Sequence, residues 1–117
     1  MKTLILNAWG TDHHISFHLA NYADNNNLYV GMICHDDGYP EPWSDLTVNL
    51  DVTLEPNIAF IDVNNNGWNI IDWLIKNNLG QPTKLEMISG FCTYPEFEFN
   101  MDELIKYVTR DSREENK

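Results

Sequence analysis

At 117 residues the chain is long enough for one hydrophobic core and too short for two, and 18 acidic against 7 basic side chains leave a formal charge of −11. That balance excludes direct binding to DNA, RNA or an anionic membrane, because each phosphate approached adds repulsion in place of counterion release. An aromatic content of 12% excludes a disordered acidic tail, which would lack the apolar area needed to fold.

Residues 2–9 read as a first strand, and Gly10, Thr11 and Asp12 supply turn chemistry behind it. Their brief apolar run is neither a leader nor a membrane span. Residues 14–20 alternate polar with apolar, the mark of a half-buried strand with Ile15, Phe17 and Leu19 inward. Asparagine tolerates left-handed backbone angles, so residues 24–27 are expected to form a four-residue loop, with residues 28–34 returning as the hairpin partner. Residues 36–42 form a longer loop in which Pro40 and Pro42 exclude a ladder position. Residues 45–50 alternate as another strand, and residues 58–63 make a more continuous, well-covered one.

The asparagines at 64–66 and Gly67 break the sheet and offer an N-cap to a helix reaching about residue 78, stopped by Leu79, Gly80 and Pro82. Trp68, Ile71, Trp73, Leu74 and Ile75 approximate its apolar stripe, and the two tryptophans are expected to pack against the sheet. Residues 83–88 read as a strand. In residues 91–99, Phe97 and Phe99 point one way and Glu96 and Glu98 the other. Asn100 and Glu103 have the spacing of a capping box, opening a short last helix through about residue 109 with Leu104, Ile105 and Val108 on one face. The expected architecture is a single α+β domain over residues 1–110, a mostly antiparallel sheet with two helices packed on one face, followed by a polar tail at 111–117.

Two groups of carboxylates stand out. Asp36, Asp37, Glu41 and Asp45 bracket one loop, while Glu96, Glu98, Asp102 and Glu103 run from a strand into a helix start. Alternate residues on one strand face lie about 6–7 Å apart, comparable to successive phosphates, so such a row suits a groove lined by Arg and Lys. The plainer reading is that Asp102 and Glu103 complement a helix N-terminus and that the others are solvated. Tyr39 and Trp43 beside two prolines have the composition of an interface anchor ringed by charge. The stretch from 36 to 45 is therefore the first choice for a partner-facing surface.

The histidines form a second constellation. A four-residue loop sets Ser16 opposite His35, with His14 and His18 as diagonal neighbours. Three imidazoles on one face, with Asp12 or Asp37 as a fourth ligand, suit tetrahedral Zn²⁺. His13 points to the other face and is left out, and a one-residue slip would put Cys34 in place of His35. The competing reading is surface histidines that bind nothing. Cys34 and Cys92 match neither a disulfide framework nor a paired zinc knuckle, which sets the expectation of a reduced, cytoplasmic setting. Cys92, flanked by aromatics, reads as a small buried hydrophobe. With no nucleophile elbow and no phosphate-cradling glycine loop, the chain is expected not to be an enzyme and to require no cofactor.

Leu-Asn-Ala-Trp-Gly at 6–10, Leu-Thr-Val-Asn-Leu at 46–50, Ala-Phe-Ile-Asp at 59–62 before an asparagine run, and Ser-Gly-Phe-Cys-Thr-Tyr-Pro at 89–95 resemble a small bacterial family catalogued as domain of unknown function 4313. The resemblance spans most of residues 2–108 and implies a setting on mobile elements and prophages, with no assigned chemistry. Small acidic proteins from that setting include inhibitors of CRISPR and restriction nucleases, to which the chain is similar in size and charge only. The resulting expectation is a stoichiometric inhibitor of a host defence nuclease, most concretely a CRISPR effector such as Cas9. It would mimic DNA on a basic protein surface without touching nucleic acid or membrane. The alternative is a small zinc-binding accessory domain of a conjugative element, built on His14, His18 and His35.

Overall fold

The period-two alternation of residues 14–20 belongs to the longest strand of the protein, β2 (Thr11–Asn21), in which Ile15 and Phe17 are fully buried. The computed structural model describes residues 2–109. β2 is joined to β1 (Leu4–Ala8) by Trp9 and Gly10, at φ 53° and 76°. Two positive φ angles in a two-residue loop match the twist of the strands they connect, so the turn sits one residue earlier than the Gly-Thr-Asp signal suggests.

The hairpin from β2 to β3 (Leu28–Cys34) pairs Asn21 with Leu28 and Ile15 with Cys34. The Tyr22 N–H continues the ladder to the Asn27 carbonyl at 2.9 Å and closes a four-residue loop at 23–26, one residue earlier than expected, so Ser16 faces Ile33 in place of His35. Asn27 is the reason. Its buried amide donates to the Val52 carbonyl at 2.6 Å and accepts from the Leu54 N–H at 2.9 Å, which ties the loop to the segment after residue 50 and removes Asn27 from the tip.

Pro42 also departs from expectation. It lies inside β4 (Glu41–Asp45), opposite Ile33. β4 is the edge of its sheet, where a missing N–H faces outward and carries no penalty. The regular pairs Met32–Ser44 and Ile33–Pro42 leave Trp43 as the extra residue of a bulge.

The alternation at 45–50 is not one strand. β4 ends at Asp45, and Thr47 and Val48 (β5) pair with β6 (Ile58–Ile61). Between them Leu46, fully buried, donates its N–H to Val30 and accepts from the Asp62 N–H, each at 2.9 Å. One residue thus joins two four-stranded sheets, ordered β1-β2-β3-β4 and β5-β6-β8-β7, where strand alternation alone suggests a single sheet. All ladders named within the sheets are antiparallel.

The expected helix of residues 64–78 is divided at Gly67 into α1 (Val63–Asn66) and α2 (Asn69–Lys76), and Asp62, not an asparagine, caps α1 through the Asn65 N–H at 3.1 Å. Ile70 and Leu74, four apart, are the buried positions of α2. Trp68 precedes that stripe and is 54% exposed, lining a surface groove with Pro82 and Pro95 in place of entering the core. Trp73 is half-buried and ties α2 to β1 through Nε1 to the Ile5 carbonyl at 2.7 Å.

β7 (Gly80–Ser89) and β8 (Cys92–Phe99) form the second hairpin, with Phe97 and Phe99 buried and Glu96 and Glu98 on the opposite side as expected. α3 (Met101–Leu104) passes into a 3₁₀ turn at Ile105–Tyr107. Only half of the capping box forms: Asn100 Oδ1 accepts from the Glu103 N–H, but the Glu103 carboxylate turns to Lys106 at 2.9 Å. Leu104 is buried, whereas Ile105 is exposed. Val108 and Thr109 then run beside Phe17, where the Thr109 N–H reaches the Phe17 carbonyl at 2.7 Å. The tail at 111–117 lies outside the described residues. One hydrophobic cluster draws on both sheets and the helices, including Phe17, Val30, Ile61, Leu74, Phe97 and Leu104. Among the described residues no helix is long and apolar enough to cross a membrane.

Candidate functional site

The first carboxylate group surrounds the β4 edge. Asp36, Asp37, Glu41 and Asp45 are all exposed. Asp37 and Glu41 make no side-chain hydrogen bond or ion pair among the described residues. Asp45 accepts from the Tyr29 hydroxyl at 2.5 Å. Burial and then that carboxylate push Tyr29 up to about 12. Tyr39 is 74% exposed, as an anchor requires.

Trp43 is half-buried, contrary to its expected exposure, because the bulge turns it inward. Its ring lies 4.5 Å from His13 and 5.6 Å from Trp9, centroid to centroid. It forms the ridge between two grooves. One, of about 550 Å³, is lined by Tyr29, Pro40, Pro42 and the acids Glu41 and Asp45. The other, of about 670 Å³, is lined by Trp9, Trp73 and four asparagines, Asn7, Asn65, Asn66 and Asn69. Trp9, 90% exposed at a positive φ, is a candidate contact that strand reading passes over; its signal is a bulky residue just before a turn glycine.

The second carboxylate group is tied down. Glu96 accepts from Thr83 Oγ1 at 2.9 Å, Glu98 from Gln81 Nε2 at 3.4 Å, and Glu103 from Lys106 and Tyr107. Only Asp102 of that group is exposed. Carboxylates already holding partners have less to offer an incoming cation, so the β4 edge is the stronger surface.

The histidines are arranged differently from expectation. His14 faces His35, whose N–H reaches the His14 carbonyl at 2.9 Å. His18 faces Gly31, four residues and about 13 Å further along the strand. His35 Nε2 is hydrogen-bonded to Ser16 Oγ at 2.7 Å, and Ser16 also meets Thr109 Oγ1. Ser16 is fully buried, so this Ser–His pair satisfies an interior hydroxyl. Asp12 is engaged with Asn7 at 2.9 Å. Among the described residues, His14, His18 and His35 do not converge.

The residues that do converge are His13, Cys34 and Asp36, each offering one ligand-type atom within 4.8 Å of the others. Asp36 accepts from the His14 N–H at 2.8 Å and from His13 Nδ1 at 2.5 Å. These two donors, the backbone one foremost, hold its carboxyl down at about 2 from the usual 3.8. Burial pushes the Cys34 thiol up. Cys92 is half-buried in β8 beside Tyr94.

A depressed carboxyl stabilises the fold above its ordinary value and loses that contribution as pH falls through the folded value. Asp36 is therefore expected to make the melting temperature fall between pH 4 and pH 2, and Asp36→Asn to flatten that part of the curve. Melts recorded across this range check it; parallel curves for the two proteins would contradict the assignment.

A family model described as Domain of unknown function (DUF4313) matches residues 16–116. No curated protein and no solved structure matches the chain.

Proposed function

Since the chain belongs to the family described as domain of unknown function DUF4313, whose description carries no chemistry, we propose from its surface that it acts by stoichiometric binding of a cationic protein. The observation that carries this reading is the β4 edge, where exposed and unpaired Asp37 and Glu41 flank exposed Tyr39 beside an apolar-walled groove. Only two ion pairs occur among the described residues, so the charge of −11 is left to act outward. A field of that sign accelerates encounter with basic surfaces and rejects acidic ones.

The partner class that best matches it is a protein channel built to hold nucleic acid, most concretely that of a CRISPR effector such as Cas9. In that reading the chain is carried by a mobile element or prophage, works in the cytoplasm and blocks DNA entry by occupying Arg- and Lys-lined surface. The bland account of the same acids is protection of an exposed strand edge, which charge and proline both serve. Tyr39 separates the two, because edge protection has no use for an exposed aromatic ring.

The test is DNA cleavage by a purified CRISPR effector titrated with the chain. Inhibition at low salt is expected to saturate at one chain per effector. Asp37→Asn with Glu41→Gln, which removes two charges that hold nothing else, is expected to weaken it about tenfold, from roughly 0.7 kcal/mol per rim charge. Absence of binding at low salt, or equal inhibition by the variant, would sink this reading.

A further inference from the structure

We infer that His13, Cys34 and Asp36 form a binding site for one thiophilic divalent cation of the Zn²⁺ class. The register builds it. Carried on from Ile15–Cys34 through the His35–His14 hydrogen bond, the β2–β3 ladder brings Asp36 opposite His13, with Cys34 on the adjacent diagonal. Side chains alternate across a strand, so all three lie on one face. That is the face opposite to the one carrying His14, Ser16, His18 and His35.

Two further observations point to a ligand. His13 Nε2 is buried and has no hydrogen-bond partner among the described residues, an uncommon state for an imidazole whose other nitrogen is held by a carboxylate. The Trp43 ring, 4.5 Å from His13, closes one side of the cluster with apolar surface, the kind of surrounding that shields a metal from solvent. One sulfur, one imidazole nitrogen and one carboxylate oxygen suit Zn²⁺, whereas Mg²⁺ and Ca²⁺ take oxygen shells.

Three protein ligands leave the fourth tetrahedral position to water or to a group brought by a partner. Around a tetrahedral Zn²⁺ the donor atoms lie roughly 3.5 Å apart, so closure from the present spread of up to 4.8 Å needs only small side-chain rotations. Binding breaks the Cys34 S–H bond and forms a metal–sulfur bond, with the proton released to solvent. The hydrogen bond between His13 Nδ1 and Asp36 breaks, and the metal gains one bond to an Asp36 oxygen and one to His13 Nε2, which is free of a proton while Nδ1 keeps its own.

The experiment is titration of the reduced, untagged full chain with Co²⁺, followed by displacement with Zn²⁺. Saturation at one ion per chain is expected, with a thiolate-to-cobalt charge-transfer band that Zn²⁺ abolishes. Cys34→Ser and His13→Gln are each expected to weaken binding 100-fold or more, and Cys34→Ser to remove the band. Cys92→Ser and His18→Ala are expected to leave both unchanged. Independently of any variant, Zn²⁺ is expected to slow alkylation of Cys34 at least tenfold and leave that of Cys92 unaltered, as located by mass spectrometry. Absence of the band, its persistence in Cys34→Ser, its loss in Cys92→Ser, or unprotected Cys34 would each overturn the site.

Discussion

Phe97→Ala is expected to lower the unfolding free energy by about 4 kcal/mol. The Phe97 side chain is fully buried and stands edge-on to Phe99, with ring centroids 5.0 Å apart. Its strand neighbours are Ala59 on one side and Pro82 on the other. Neither is large enough to fill the space a lost ring leaves, so the cavity persists in place of collapsing. A domain of this size has about 5–15 kcal/mol in total, which makes the loss a large fraction of it. Urea unfolding followed by tryptophan fluorescence measures the change. A loss below about 1.5 kcal/mol would show that the second sheet repacks and that Phe97 is not a keystone of the shared core.

Gly80→Ala is expected to cost about 3 kcal/mol for a different reason. Gly80 opens β7 at φ 147°, a conformation that side chains rarely adopt. A Cβ there would overlap the Glu98 carbonyl oxygen and lie 2.7 Å from Phe97 Cε2 and 2.9 Å from Phe99 Cα. The obstruction is backbone of the partner strand, so relief requires separating β7 from β8. The same denaturant experiment reads it. A near-neutral Gly80→Ala would mean that the β7–β8 pairing yields at its open end, and would remove the argument that this glycine is required.

Much of the fold is legible in the residues. The alternation of β2, the continuous run of β6, and the opposed Phe and Glu positions of β8 all follow from side-chain period and hydrophobicity. Three features are not, each for a physical reason. Residues 45–50 alternate without interruption, so nothing in the pattern reveals that Leu46 hands the chain from one sheet to another; that depends on hydrogen bonds to Val30 and Asp62, distant in sequence. Trp68 fits a helical stripe only if the helix is continuous, and Gly67 ends the first piece before it. Trp43 is turned by a bulge, which changes the side a residue faces without changing composition.

The histidine cluster fails on the position of the loop, not on its length. A four-residue loop placed one residue earlier than expected shifts the pairing by two and preserves which side each side chain takes, so His14, Ser16, His18 and His35 do share a face. It alters who faces whom: His35 stands opposite His14 and reaches Ser16 only through its side chain, while Asp36 comes opposite His13. The information that decides this is the burial of Asn27 against residues 52 and 54, a tertiary contact with no local signature. The acids at the β4 edge needed no such knowledge, since exposure of charged residues next to prolines follows from solvation.

The acidic β4 edge as a captor of cationic protein is tested most directly by immobilising the chain, and separately its Asp37→Asn/Glu41→Gln variant, and challenging each with lysate of the native host at low and raised ionic strength. The account predicts that a basic, nucleic-acid-handling protein is retained by the parent chain at low salt, is released as salt rises, and is held markedly less by the variant. Retention that is indifferent both to salt and to the loss of those two carboxylates would contradict it.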